Sequence, residues 1–415
     1  MKIAIIASGF LPVVDGVTVS GFQRLRKLSE WGHQVLFFCP DYRALQDVYP
    51  DWKNYTGDLF PGVRVVSLKS NGLMGFGFDR NVSFFAYPSV LKALKEFQPD
   101  IIHVDEPERL FLGFLKVPGI GYARSANIPC VSFYRTNFIE YVDDYFILPS
   151  SINALIRFAF IKIFLYIYGC YEITLVSSRI TYKKIVELGF KNAEYRNLLG
   201  FDFDAYTPDL KAAEFFEQTY QISGLERKVK IIFLGRLTPD KGWEFTIDCL
   251  SALGQEIDLK EIALVLAGDG PMRDEIMTRL SDLGFEVRFL GRVSPDRVPS
   301  LLMNCDIHVT TSEKETRGLT ILEAFAAGIP VLAPNRGGVV ENIQDGRNGF
   351  LYHPGDRVDF LQKLVHLIRD RPLREAMGRH GREGVADYSW DRTIANLVEV
   401  WEEQIERYDR SVAKT

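Results

Sequence analysis

Cysteine is scarce in this chain and follows no pattern. Cys39, Cys130, Cys170, Cys249 and Cys305 are odd in number, scattered, and never spaced as Cys-x-x-Cys. That excludes a disulfide framework and a paired-thiol metal knuckle. The six histidines (His33, His103, His308, His353, His366, His380) show no ligand spacing either, so no structural metal is expected. Met1 runs straight into an apolar, β-rich stretch rather than a signal peptide, which predicts a reducing, cytosolic setting. Low-complexity tracts are missing. So is any uninterrupted hydrophobic run of spanning length: Ala154–Tyr171, the most apolar segment, is broken by Arg157 and Lys162 and is a poor transmembrane span. Finally, no dominant basic face is available. Residues 1–200 hold 22 Lys and Arg against 18 Asp and Glu, and residues 201–415 hold 27 against 36, for a net charge of −5. Nucleic-acid binding is therefore not expected. The mild basic excess of the first half leaves room to approach anionic lipid, although charge of this size also fits plain solubility.

What the chain does have is apolar content and alternation. With 415 residues and 47% hydrophobic residues it can bury large cores, and it is expected to form two domains. Short β-rich runs bounded by Pro, Gly, Asp or Ser recur at Lys2–Ser8, Gln34–Cys39, Val63–Leu68, Asp100–Val104, Ile128–Phe133 and Glu172–Val176. Amphipathic stretches such as Val17–Trp31 and Ser89–Phe97 fall between them. The second half repeats the pattern with strands at Val229–Leu234, Ile262–Ala267, Glu286–Leu290, Asp306–Thr310 and Ile329–Ala333, and helices near Trp243–Leu253, Pro271–Leu283 and Arg297–Met303. Continuous apolar strands alternating with helices predict parallel sheets covered on both faces. The expected architecture is α/β, with two doubly wound, Rossmann-like domains at 1–200 and 201–390, joined within the polar segment 200–228.

Ligands of such sheets bind beyond the carboxyl ends of the strands, so the loops there carry the chemistry. The loop Gly9–Gly16 follows the first strand, and its glycines allow close backbone approach; it also fits an ordinary turn. In the second half, Gly235-Arg236-Leu237-Thr238-Pro239-Asp240-Lys241-Gly242 sets a guanidinium and an ammonium five residues apart, suited to sharing a diphosphate. Gly268-Asp269-Gly270-Pro271 and Gly291-Arg292-Val293 follow the next two strands.

The most informative stretch is SEKETRGLTILEAFAAGIPVLAPNRGG, Ser312 to Gly338. Gly318 opens helical spacing of Leu319, Ile321, Leu322, Phe325 and Ala326, which puts Glu315 just before a helix and Glu323 inside it. The first helical amides, near Leu319 and Thr320, lack intrahelical acceptors and carry the positive end of the helix dipole, a place for a diphosphate. Carboxylates on either side suit polyols, one facing a sugar and the other a ribose. The same residues also fit an ordinary helix start.

Taken together, GRLTPDKG, AGDGP, FLGRV, SEKETRGLTILEAFAAGIPVLA, GG and NGFLYHPGD closely resemble the C-terminal domain of family 4 retaining glycosyltransferases of the GT-B fold. KIAIIASGFLPVVDGV and PDIIHVDEPE extend the resemblance to the N-terminal half. It implies two domains facing across a cleft, with transfer of a sugar from a uridine or guanosine diphosphate donor, retention at the anomeric carbon, and neither a metal nor another cofactor. By that resemblance Arg236 and Lys241 hold the pyrophosphate, Glu315 orients the hexose, amides near Leu319 and Thr320 bind phosphate, and Glu323 takes the ribose. Gly16, Gly268, Gly270, Arg292 and Gly318 complete the donor-binding set. Many relatives carry a histidine where this chain has Arg135, in Ser132-Phe133-Tyr134-Arg135-Thr136. An arginine stays protonated and cannot act as a base; it can bind a phosphate or hydroxyl, or pair with Glu140 or Asp143.

The acceptor must come from the N-terminal half. The closest look is to glycolipid-forming members that act on diacylglycerol or a monoglycosylated lipid, including sulfoquinovosyl and digalactosyl lipid synthases. Two segments are candidates for a membrane surface on the cytoplasmic face. In 154–171, Phe158, Phe160, Phe164 and Tyr166 are expected to meet acyl chains, and 72–85 reads as a glycine-spaced aromatic loop. Both also fit core packing. A soluble or polysaccharide acceptor is the same-class alternative, and a nucleotide-sugar-binding module without turnover is the alternative of another class. The tail from about Asp391 is expected to be an amphipathic helix that packs back on the N-terminal domain.

Overall fold

The computed structural model describes residues 1–412 apart from 74–75, 136–149, 199, 316–317 and 387. The chain divides into two compact units, Met1–Gly200 with Trp390–Thr415, and Phe201–Ser389.

In the first unit the apolar runs form β1 (Lys2–Ile6), β2 (Gln34–Pro40), β4 (Val63–Leu68), β7 (Ile101–Asp105), β8 (Cys130–Tyr134) and β9 (Thr174–Val176), and β3 (Gly57–Phe60) and β10 (Ala193–Tyr195) add the edges. The order is β10-β9-β8-β7-β1-β2-β4-β3, with β3 antiparallel to β4 and the other neighbours parallel. Both faces are covered, which is why these strands are apolar throughout rather than alternating. On one face Ile3 and Ile5 pack with Leu25, Leu28, Ile394, Leu397, Val400 and Trp401. On the other, Ala4 and Ile6 meet Val90, Leu94 and Leu110. The helix Gly16–Glu30 starts at a capping box in which Asp15 accepts from the amides of Val17 and Thr18, and it packs against the last helix, Trp390–Val412.

The second unit holds β11 (Val229–Leu234), β12 (Ile262–Ala267), β13 (Val287–Gly291), β14 (Ile307–Val309), β15 (Val331–Pro334) and β16 (Gly349–Tyr352), all parallel, in the order β13-β12-β11-β14-β15-β16. Helices Trp243–Leu250 and Arg357–Arg369 bury Trp243, Ile247, Phe360 and Leu364 on one face, against Ile231, Phe233, Leu264 and Leu266.

Each sheet reverses its direction of growth once. The first runs outward from β1 through β2 and then restarts at β7 on the other side; the second does the same between β11 and β14. Such switch points part the loops beyond the strand ends and open a crevice there. In the second unit those loops are the Arg236–Lys241 and Glu315 segments.

Two sequence expectations change. The described residues of 72–85 are mostly not loop: β5 (Ser70–Leu73) and β6 (Phe76–Val82) pair antiparallel, and a short 3-10 turn, Phe84–Ala86, follows. The apolar segment 154–171 lies mostly in the helix Ser150–Tyr168, and its aromatics divide between two faces. Phe164 and Tyr168 are buried against Tyr134, Val176 and Phe190, with Phe160 packed alongside, because positions four apart share a helix face. Phe158, Ile163 and Tyr166 lie outside that face and are exposed. Phe160 and Phe164 are therefore core residues, not lipid-facing ones.

Candidate active site

The first cation-bearing loop is fixed by its neighbour. The Leu237 amide donates to the Asp269 carbonyl at 2.9 Å, and the Met272 amide to the Leu237 carbonyl at 3.1 Å. Gly268 makes this approach possible: its φ is +143°, and a Cβ there would lie 1.8 Å from the Gly235 carbonyl oxygen. Gly268 and Gly270 thus serve to lock two strand-end loops together beneath Arg236. Arg292, just past β13, stands 3.9 Å from Asp269 on the same rim.

Lys241 donates to Glu315 Oε1, so the two loops meet at the switch point as an ion pair. Both partners are anchored through their backbones. Thr311 Oγ1, just past β14, donates to the Lys241 carbonyl at 2.8 Å. The Glu315 carbonyl accepts the Gly338 amide at 2.8 Å, and Gly337 must be glycine because a Cβ would lie 2.9 Å from that carbonyl at a φ of +70°. The glycine pair downstream of the helix therefore grips the Glu315 loop.

Asp240 lies behind the cations, 6% exposed, 3.7 Å from Arg236 and 3.9 Å from Lys241. Burial alone would raise its carboxyl, but Lys241 and Arg236 hold it below the usual carboxylate range. It is charged and lies within ion-pair distance of both cations. In the sequence Asp240 is one more loop residue, although an acid between Arg236 and Lys241 is a readable signal.

The helix Leu319–Ala326 starts at Gly318, whose φ is +70°, and no described side chain caps it. The helix at Asp15 is capped, whereas at Leu319 and Thr320 no described side chain takes up the first amides, a terminus of the kind that suits an anion. Glu323, inside the helix, is half-buried, and burial pushes its carboxyl up to about 8. Near neutrality it is largely protonated, which alters the expectation of a carboxylate accepting both ribose hydroxyls.

In the first unit Gly16 opens the helix after the glycine loop. Arg135, at the end of β8, donates to Ser20 Oγ, lies 3.7 Å from Asp105 and stacks on Phe133. Glu140 and Asp143, its expected partners, lie outside the described residues. Asp105 also binds Arg24 and sits 3.1 Å from His103, so it neutralises the arginine in place. One residue on, Glu106 adopts a left-handed backbone (φ +52°) and accepts from Ser8 Oγ across the β1/β7 switch point. Burial, reinforced by Glu106, pushes Glu108 up to about 8, and Tyr168 donates to it. Neither glutamate was assigned a role from sequence. Among the described residues no cluster of His, Cys, Asp or Glu is arranged to hold a metal ion, and no helix is long and apolar enough to cross a membrane.

Two doubly wound units, one carrying paired cations beside a helix terminus that no described side chain caps, have the architecture of the GT-B fold. Anabaena HepE in complex with UDP and glucose superposes with a TM-score of 0.71 at 20% identity, over 97% of this chain and all of that one. Residues 14–196 match the family described as Glycosyltransferase Family 4, and residues 216–384 match Glycosyl transferases group 1. The chain belongs to the family 4 glycosyltransferases. Among its relatives are sulfoquinovosyl transferase SQD2 of Arabidopsis thaliana (29% identical, over 90% of this chain and 68% of that protein) and a GDP-mannose-dependent alpha-mannosyltransferase of Corynebacterium glutamicum (27%, 96% and 88%). Alpha-monoglucosyldiacylglycerol synthase of Streptococcus pneumoniae is 24% identical over 85% of this chain and 75% of that protein.

Proposed function

We propose that the protein transfers a hexose from a nucleoside-diphosphate sugar, UDP-linked, to diacylglycerol or a monoglycosyldiacylglycerol, with retention at the anomeric carbon. The observation that carries the reading is the Lys241–Glu315 pair beside the helix start at Leu319, which no described side chain caps. In this reading Arg236, Lys241 and the amides of Leu319 and Thr320 hold the diphosphate and neutralise it as the bond from the anomeric carbon to the phosphate oxygen breaks. Glu315 turns from Lys241 toward the hexose hydroxyls, Glu323 takes the ribose, and Arg292 flanks the rim. The acceptor oxygen forms the new bond, and its proton passes to the departing phosphate. In this reading the 201–390 segment binds the donor and the 1–200 segment the acceptor, with Gly16 assigned to the donor phosphate and Arg135 to a phosphate or a sugar hydroxyl.

A lipid acceptor is supported by the surface of the first unit and by the name of the diacylglycerol-acting relative. Phe85 is 74% exposed and Leu115 65%, and Phe84, Leu112, Phe158 and Tyr166 are also exposed. Lys69 lies over Phe85 and Lys162 over Phe158, which sets cations where a headgroup phosphate meets an acyl chain. Wild-type protein is expected to float with detergent-free vesicles containing anionic lipid, and joint replacement of Phe85 and Leu115 by serine is expected to cut flotation by at least about tenfold, since each buried side chain of this size contributes roughly 1.5–3 kcal/mol. Wild type left at the bottom of the gradient favours the soluble-acceptor reading.

Glu323 gives the donor site a pH signature. Its carboxyl is protonated below about 8 and ionised above. The ionised form accepts on both oxygens, with the stronger charge-assisted bonds, so donor KM is expected to fall as pH rises from 6 to 9, and Glu323→Gln is expected to flatten the profile. A flat wild-type profile removes Glu323 from the ribose site.

A further inference from the structure

His308 lies on β14 at the centre of the second sheet, fully buried, and no part of the donor reading uses it. Its Nδ1 is 3.2 Å from the Ile232 carbonyl oxygen on the neighbouring strand, and its Nε2 is 3.2 Å from Thr320 Oγ1 at the start of the helix Leu319–Ala326. A carbonyl only accepts, so Nδ1 carries a proton. Burial drives the ring's pKa down to about 4, against a smaller opposing effect of the Ile232 bond and Glu315, so the ring is neutral and Nε2 is a bare lone pair. The Thr320 hydroxyl must therefore donate to Nε2. Once its one proton is committed, the Thr320 oxygen can only accept.

An acceptor-only oxygen at a helix terminus cannot donate to a phosphate. It is suited to a hydroxyl. Resting on the donor-site reading above, we propose that His308 is a positioning residue that fixes the Thr320 side chain as an acceptor for a hydroxyl of the donor's glycosyl or ribosyl group, while the Thr320 backbone amide serves the phosphate. The two halves of one residue thus sort the two chemistries of a nucleotide sugar: N–H for the anion, oxygen for the polyol.

The test is titration calorimetry with UDP-glucose and GDP-mannose as parallel probes, continued with whichever binds wild type and with its parent nucleotide diphosphate. Thr320→Val and His308→Phe are each expected to weaken the nucleotide sugar about three- to tenfold, the loss of one hydrogen bond. The double variant is expected to bind no worse than Thr320→Val, and Thr320→Ser is expected to restore what valine loses. Such non-additivity belongs to a residue acting through Thr320; a packing role for His308 adds its own cost in the double variant. A loss seen with the nucleotide diphosphate as well assigns the ribosyl hydroxyl, and a loss confined to the nucleotide sugar assigns the glycosyl one. The proposal is overturned if Thr320→Val binds like wild type or if His308→Phe costs as much again on the valine background. Should either occur while Lys241→Ala still weakens binding, the donor site stands and only the role of His308 falls. If neither probe binds wild type, the donor reading fails and takes this inference with it.

Discussion

Lys241→Ala is expected to lower turnover by about 10²–10³-fold, the usual cost of removing one preorganised group from developing transition-state charge. Its ammonium reaches two carboxylates of the site, bonding Glu315 and lying 3.9 Å from Asp240. Without it Arg236 faces the leaving diphosphate alone among the loop's cations. Glu315→Ala is expected to fall as far, since it loses the hexose contact, and the double variant is expected to be little worse than either single, because the pair acts as a unit. The circular dichroism of both variants should match wild type: each side chain is partly exposed, and the pair between them adds little to stability. Wild-type rates in both variants would remove these residues from the reaction.

Trp401→Ala carries the largest expected effect on stability, about 3–5 kcal/mol for the first unit. Trp401 is fully buried between the last helix and the sheet, in one cluster with Ile3, Ile5, Leu25 and Leu397. Its Nε1 also donates to His103 Nδ1 at 3.1 Å, which obliges the neutral ring to present Nε2–H to Asp105. Alanine thus opens a cavity and strands a buried ring nitrogen beside the Arg24, Asp105 and Arg135 cluster. Trp401→Phe fills most of the volume and is expected to cost about 1–3 kcal/mol for the lost hydrogen bond alone. Hydrogen exchange of β1 and β7 in increasing urea resolves the first unit from the second. Protection unchanged in Trp401→Ala would mean that the last helix is not part of that core.

The strands were legible because burial on both faces writes itself as unbroken apolar runs: Val229–Leu234 and Ile262–Ala267 were read to the residue. The edges were not. Ala193–Tyr195 and Gly349–Tyr352 are short, and an edge strand need not be apolar on both faces. The hairpin at 70–82 was masked by glycines at 72, 75 and 77, which weaken strand propensity while leaving backbone pairing possible. Lys241 and Glu315 were nominated 74 residues apart in sequence, and the structure joins them in one ion pair. Asp240 and His308 carry no role in the sequence because their importance lies in what surrounds them: a buried acid beside two cations, and an imidazole whose tautomer is set by a carbonyl 76 residues away. Sequence alone leaves Phe164 open between acyl chains and the core, because a helix apolar nearly all round hides which face is buried.

The most direct test of the account is a transfer assay read by mass spectrometry. Purified protein is mixed with vesicles containing diacylglycerol and monoglycosyldiacylglycerol, soluble glycan acceptors, and UDP-hexoses or GDP-mannose in turn, with Lys241→Ala alongside. The account predicts lipid one hexosyl unit heavier, formed from a UDP-hexose with the anomeric configuration of the donor, by wild type and not by the variant. Hexose appearing only on a soluble glycan, or no product from any nucleotide sugar while nucleotide still binds, would contradict it.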